Sequence, residues 1–192
     1  MKKTILLAAL FGLVSTASAV SFQWTVSGIA FNGTTLKSDA NLTASLVYLG
    51  VGGSLASSYD EAAISSLEKI STVTGSTSKG AASETYYLPA PASGDYTDLN
   101  GGVYALLLSY ADSASGKTFY NIGSATYTVS GVADATSSLD AYKPAASTFS
   151  YGSNDATASK VTPGGGWATV PEPSTAALAL AGLALLLKRR KA

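Results

Sequence analysis

Several groups of residues in this chain of 192 have types and spacings that could do chemistry. Ser66-Leu67-Glu68-Lys69 and Ser76-Thr77-Ser78-Lys79 share the S-x-x-K spacing, which on a helix puts a lysine amine beside a serine hydroxyl as its base. Asp95, Asp98 and Asn100, ahead of Gly101, offer the hard oxygen ligands that calcium takes. Gly50-Val51-Gly52-Gly53 could cradle a phosphate, and Trp24, Trp167 and the eleven Tyr could stack on sugar rings. The S-x-x-K pairs lack the companion motifs of penicillin-binding enzymes and occur in a serine-rich chain. The aspartates miss the calcium-loop spacing, and no bidentate Glu follows them. The third glycine of a dinucleotide loop would be Leu55, and no Gly-Lys-Ser/Thr follows. With no His and no Cys, the imidazole-based triads, thiol nucleophiles, disulfides and ordinary zinc, iron–sulfur or haem sites are excluded. We expect no catalytic residues, no cofactor and no metal. Among the aromatics, Trp24 shares an apolar face with Phe22 and Val26 and reads as core, which leaves Tyr86, Tyr87 and Tyr96 as surface candidates.

The elements that would hold such residues are mostly strands. Phe22–Ser27, Leu42–Tyr48 and Ala125–Val129 alternate apolar and polar residues, the period of a strand with one wet face. Val103–Tyr110 is apolar on both faces, as a central strand should be, and Ala111–Gly116 with Lys117–Ile122 reads as its hairpin return. Lys69–Thr74 and Glu84–Leu88 are shorter candidates. One helix is predicted, with Ser58 as N-cap, Glu61 as its capping-box partner, and Ala63, Ile64, Leu67 and Ile70 on one face. Gly75–Ser83, Pro89–Asn100 and Ser130–Lys160 read as turns and loops, and Ser150–Gly166 as a last strand or a flexible stalk. The expected fold is mainly β: a small antiparallel β-sandwich with one crossover helix, followed by a single C-terminal transmembrane helix.

The two ends look like addresses. Met1–Lys3 is basic, Thr4–Val14 is apolar, and Ala17-Ser18-Ala19 has the A-x-A form of a signal-peptidase site, so 1–19 reads as a secretory signal peptide. At the other end Val170-Pro171-Glu172-Pro173 precedes the uncharged run Thr175–Leu187 and then Lys188, Arg189, Arg190 and Lys191. Thirteen helical residues span about 20 Å, short of a hydrocarbon core of about 30 Å. The terminal cations can snorkel and favour the cytoplasmic side, so a helix over about 174–187 is expected to span, with Trp167 as an interfacial aromatic on the far face.

The motif, span and basic cluster, in that order, resemble the PEP-CTERM sorting signal of exported bacterial proteins. The resemblance covers residues 170–192 and implies that Pro171, Glu172, Pro173 and Lys188–Lys191 are read by a membrane-embedded exosortase. It implies cleavage near the Pro-Glu-Pro and passage of the cargo towards the surface or extracellular polysaccharide. The expected partners are the Sec translocon, signal peptidase and that exosortase.

Residues 20–169 form the expected cargo domain. They carry six Lys and eleven acids, a net of −5, and no Arg, which disfavours nucleic acid as a partner. The formal net charge of zero is therefore a property of the whole precursor, because the basic ends offset an acidic domain. The function expected is that of a non-catalytic protein of the cell envelope or extracellular matrix, its precursor a single-pass membrane protein with the cargo outside the cytoplasm. The alternative is a carbohydrate-binding module that associates with surface polysaccharide.

Overall fold

Alternation decides the first strand. In β1 (Ser21–Val26) Phe22, Trp24 and Val26 are buried while Gln23 faces water. The computed structural model describes residues 19–170. After β1 come the two short arms of a hairpin, β2 (Ala30–Phe31) and β3 (Thr34–Thr35), and then the long β4 (Leu42–Val51). A single turn-and-a-half of helix, α1 (Glu61–Ser66), leads to β5 (Glu68–Thr74) and β6 (Ala82–Tyr87). The chain continues through β7 (Gly102–Asp112), β8 (Lys117–Thr128), β9 (Asn154–Asp155) and β10 (Trp167–Thr169).

Six of these strands make one sheet in the order β5-β4-β7-β8-β10-β9, and β1 pairs with β6 in a separate ribbon. The expectation of a mainly β chain holds. The two layers are unequal, however, and the β9–β10 pair is parallel, so the arrangement is not purely antiparallel. The ribbon covers one face of the large sheet, where Phe22 and Trp24 meet Leu42, Leu46, Leu106 and Leu108. The other face holds Val47, Ala105, Leu107 and Ile122, covered by Tyr59, Ile64 and Val161. With neighbours on both sides and packing on both faces, β7 is the central strand that its run of apolar residues predicts.

The helix differs from expectation in three ways. Its N-cap is Asp60, whose carboxylate accepts from the Ala63 N–H at 2.9 Å, and not Ser58. A carboxylate two residues closer to Ala63 wins the orphan donors. The helix ends at Ser66, and Ile70 lies on β5, because the segment Ile70–Thr74, β-branched at every position but Ser71, finds a partner strand in β4. The helix also joins two neighbouring antiparallel strands, so it is no crossover. Lys117–Ile122 and Ala125–Thr128 are parts of one strand, β8, which ends one residue short of the expected Val129 and is interrupted by a shift of register opposite Ala105–Leu107.

Among the described residues, the segment Ser150–Gly166 is not a flexible stalk. Val161 is fully buried and exchanges two backbone hydrogen bonds with Tyr59 at 2.7 and 2.8 Å. Asn121, buried on β8, donates to the Ser150 carbonyl at 2.8 Å and ties the segment down at its start. Trp167 is 1% exposed, which overturns its expected place as an interfacial aromatic. Its indole N–H donates to the Ala30 carbonyl at 2.8 Å, and its ring packs against Phe31, Tyr110 and Tyr151. Among the described residues no helix is long and apolar enough to cross a membrane. The expected span over about 174–187 lies outside them, as does the apolar segment before Ala19.

Candidate functional site

The site to account for is the place where the folded domain gives way to its tail. Trp167-Ala168-Thr169 follows Gly164-Gly165-Gly166, and Gly164 and Gly166 have φ of 72° and 98°. A Cβ at Gly166 would clash with Ser153, so glycine is required where the chain turns into β10. In β10 Trp167 drops into the ribbon-side core while Ala168 and Val170 enter the opposite one. Thr169 lies opposite Phe119 on β8, and Val170 is 6% exposed. Packing thus continues to the residue immediately before Pro171.

Register shows which way the chain leaves. Thr169 is opposite Phe119, Phe119 opposite Tyr110, and Tyr110 opposite Leu42, all near the Asp112–Lys117 hairpin. Val170 therefore points out at this hairpin end. The first described residues are at the other end. Val20 is fully buried, its carbonyl accepts from Leu88 N–H at 2.7 Å, and Ser21 is opposite Tyr87. The Phe22 ring stacks on Tyr127 at 4.8 Å, and Tyr127 is opposite Tyr104 near the start of β7. This tyrosine end also gathers Tyr48 and Tyr86, whose rings lie 5.2 and 6.2 Å from Tyr104.

Burial holds the Tyr104 and Tyr142 hydroxyls protonated well above their usual range, and raises Tyr86 and Tyr127 as well. Tyr87 is 62% exposed, as expected, but Tyr86 belongs to the ring cluster and Tyr96 is half-buried. A shallow, open cleft of about 450 Å³ opens at the same end, lined by Tyr48, Leu49, Ser54, Tyr59, Leu67 and Glu68. Nothing in the sequence pattern marks it, because β4, α1 and β5 supply its walls together.

The other candidates are occupied by structural work. Ser66 Oγ donates to the Ala63 carbonyl from the end of the helix, while Lys69 is on β5. Ser76 Oγ donates to the Leu36 carbonyl and accepts from Asp39 N–H. Asp95 accepts from Thr97 N–H and Oγ1, Asp98 from Ser93 Oγ, and Asn100 exchanges two bonds with Val132. Asp95 and Asn100 are the caps of a short 3-10 turn (Tyr96–Leu99) that contains Asp98, and Asn100 also pins the loop at Val132. No cluster of three His, Cys, Asp or Glu suited to a metal occurs among the described residues. Gly50 and Gly52, with φ of 94° and 63°, turn the chain out of β4. Trp24 is core, as expected, and its indole N–H donates to Ser71 Oγ, which in turn donates to Glu84, a link between the two layers that the linear pattern does not reveal.

Residues 169–191 match the family model of the PEP-CTERM protein-sorting motif. The chain carries a PEP-CTERM sorting signal. No curated protein and no solved structure matches it. The PEP-CTERM signal marks an exosortase-sorted protein exported to the cell envelope or surface. Of its residues only Thr169 and Val170 are described; Pro171, Glu172, Pro173 and Lys188–Lys191 lie outside, as does Ala17 of the expected signal-peptidase site. Ala19, the other half of that site, is exposed directly before buried Val20. The matched signal begins inside β10, so its first residues are also the last of the folded domain.

Proposed function

We propose that this is a non-catalytic surface protein whose β-domain is exported by the segment 1–19 and held briefly in a membrane by 174–187. An exosortase then releases it near Pro171-Glu172-Pro173. In this reading the Sec translocon and signal peptidase act on the N-terminal segment, with cleavage after Ala19. Lys188, Arg189, Arg190 and Lys191 stay in the cytoplasm and fix the cargo outside. The single observation that carries the proposal is the sorting motif at 169–191, continuous with the last strand of a packed domain. A non-catalytic role is supported by Ser66, Ser76, Asp95 and Asn100, residues with catalytic or ligand spacing whose side chains are engaged in turns and caps.

Replacing Lys188–Lys191 with neutral residues tests the proposal. Loss of processing and of correct orientation in fractionated cells is expected, and unchanged processing would refute the role of the charges. Intact-mass measurement of the mature protein would show both ends removed.

A second reading, attachment to surface polysaccharide, has one observation in its favour. The open cleft at Tyr48 and Glu68 offers an aromatic ring and an acceptor at the end away from the tail. Its acidic surroundings suit a neutral or cationic glycan, and retention on such a glycan, lost in Tyr48→Ala, is the expected result.

A further inference from the structure

The two chain ends leave the domain at opposite ends of its strands, and very little chain separates Val170 from the apolar run. Four residue steps from Val170 to Ser174 reach at most about 14 Å. A headgroup layer is itself about 5–7 Å thick, the difference between a whole bilayer and its hydrocarbon core taken per side. Pro171 and Pro173 also each drive the residue before them away from helical geometry, which leaves little slack. We infer that, while the tail is anchored, the domain stands on the membrane with its Asp112–Lys117 hairpin end against the headgroups and its tyrosine end held away from them. This rests on the reading of 174–187 as a membrane span.

The elements at each end are set by the same register that places Val170. Beside the hairpin lie the β2–β3 turn at Asn32-Gly33 and the loops at Lys37–Asp39 and Ser76–Lys79, joined through Asp39 N–H to Ser76 Oγ and Ser38 N–H to the Thr77 carbonyl. Lys117 Nζ reaches the Ala156 carbonyl and brings the loop after β9 to the same end. Strand β8 alone has twelve residues and is about 40 Å long, so the tyrosine end is held that far from the lipid.

Charge favours the same placement. The hairpin end balances Lys37, Lys79 and Lys117 against Asp39, Asp112 and Asp155. The tyrosine end carries Glu68 opposite Tyr48, Asp95 and Asp98 beside Asn100, Asp134 after Val132 and Asp140 near Tyr127, against Lys69. An anionic lipid surface repels the second group and is indifferent to the first. The membrane partner is thus a phospholipid headgroup layer met by a charge-balanced surface of turns. The cleft at Tyr48 and Glu68 and exposed Tyr87 and Val51 are presented outward, to whatever the envelope contains.

The chain has no cysteine, so single-cysteine labelling is unambiguous. Ser113→Cys in the hairpin and Ala92→Cys in the loop after β6 are both at exposed positions. Each full-length variant would carry an environment-insensitive fluorophore and be reconstituted into phosphatidylethanolamine–phosphatidylglycerol vesicles containing a headgroup nitroxide lipid. Quenching at Ser113→Cys several-fold stronger than at Ala92→Cys is expected. Equal quenching at both, or stronger quenching at Ala92→Cys, in protein that floats with the vesicles overturns the orientation and leaves the span intact. Failure of both variants to float with vesicles, with their native far-UV spectrum retained, overturns the span and the orientation together.

Discussion

Replacing Trp167 with alanine separates two accounts of this residue. At a membrane interface its loss would weaken lipid association and leave the domain's stability almost unchanged. In the structure the indole is 1% exposed, donates to Ala30, and packs at 5.6 Å from Phe31, 6.2 Å from Tyr110 and 6.4 Å from Tyr151. Burying a ring of this size removes about 150–250 Å² from water, worth about 4–6 kcal/mol at about 25 cal/mol per Å². Alanine retains a small part of that, and the measured range for Trp→Ala in cores is about 3–5 kcal/mol. A cost of about 4 kcal/mol is a large share of the 5–15 kcal/mol typical of a domain. With a urea m-value of about 2 kcal/mol/M, the midpoint of residues 20–170 should fall by about 2 M. Trp167→Phe keeps an aromatic ring in the cluster and loses mainly the donor to Ala30, about 1–2 kcal/mol, so its midpoint should fall by less than 1 M. Far-UV circular dichroism is the suitable probe because the variant loses one of two Trp. A Trp167→Ala midpoint within about 0.5 M of the parent would refute the core assignment.

Asp60→Ala should cost about 1 kcal/mol by urea titration through loss of the cap on Ala63, while Ser58→Ala should leave the midpoint unmoved. Alkaline pH should unfold the domain. Tyr104, Tyr142 and Tyr151 are held protonated by burial above their ordinary value of 10.0, so the unfolded chain ionises first. Their contribution is complete below pH 10 and is lost as pH rises beyond it, with phenolate absorbance appearing together with the loss of structure. At the acid end Asp95, Asp112, Asp134 and Asp155 are held below 3.8. The Thr97, Ser115 and Thr136 hydroxyls are the leading causes, and for Asp155 it is the Thr157 backbone N–H. Their contribution is present above pH 3.8 and fades as pH falls further, and carboxyl NMR titration should give all four depressed values.

The strands were legible where contrast was strong. Phe22-Gln23-Trp24 and the run before Tyr110 announce one buried face and two, and both took those places. Asn32-Gly33, with φ of 49° and 72°, makes the two-residue turn of the β2–β3 hairpin, a signal that local reading could have caught. Ser58 and Asp60 are both competent caps, and only the packing of Tyr59 against Val161 decides which residue begins the turn. A tryptophan near a membrane signal, such as Trp167, suits an interface as well as it suits a core, and the linear pattern does not separate the two.

The sorting tail is a linear device: proline positions, apolar length and terminal charge act in sequence order, so it can be read from the order of its residues alone. The alternation that makes most of the domain β is local in the same way. The order of strands, the burial of Trp167 and Val170, and the opposite exits of the two chain ends depend on pairings between residues far apart. Phe22 with Tyr127 and Trp167 with Ala30 are two of them. Such pairings are chosen by what the whole sheet can bury, and no local stretch of residues specifies them.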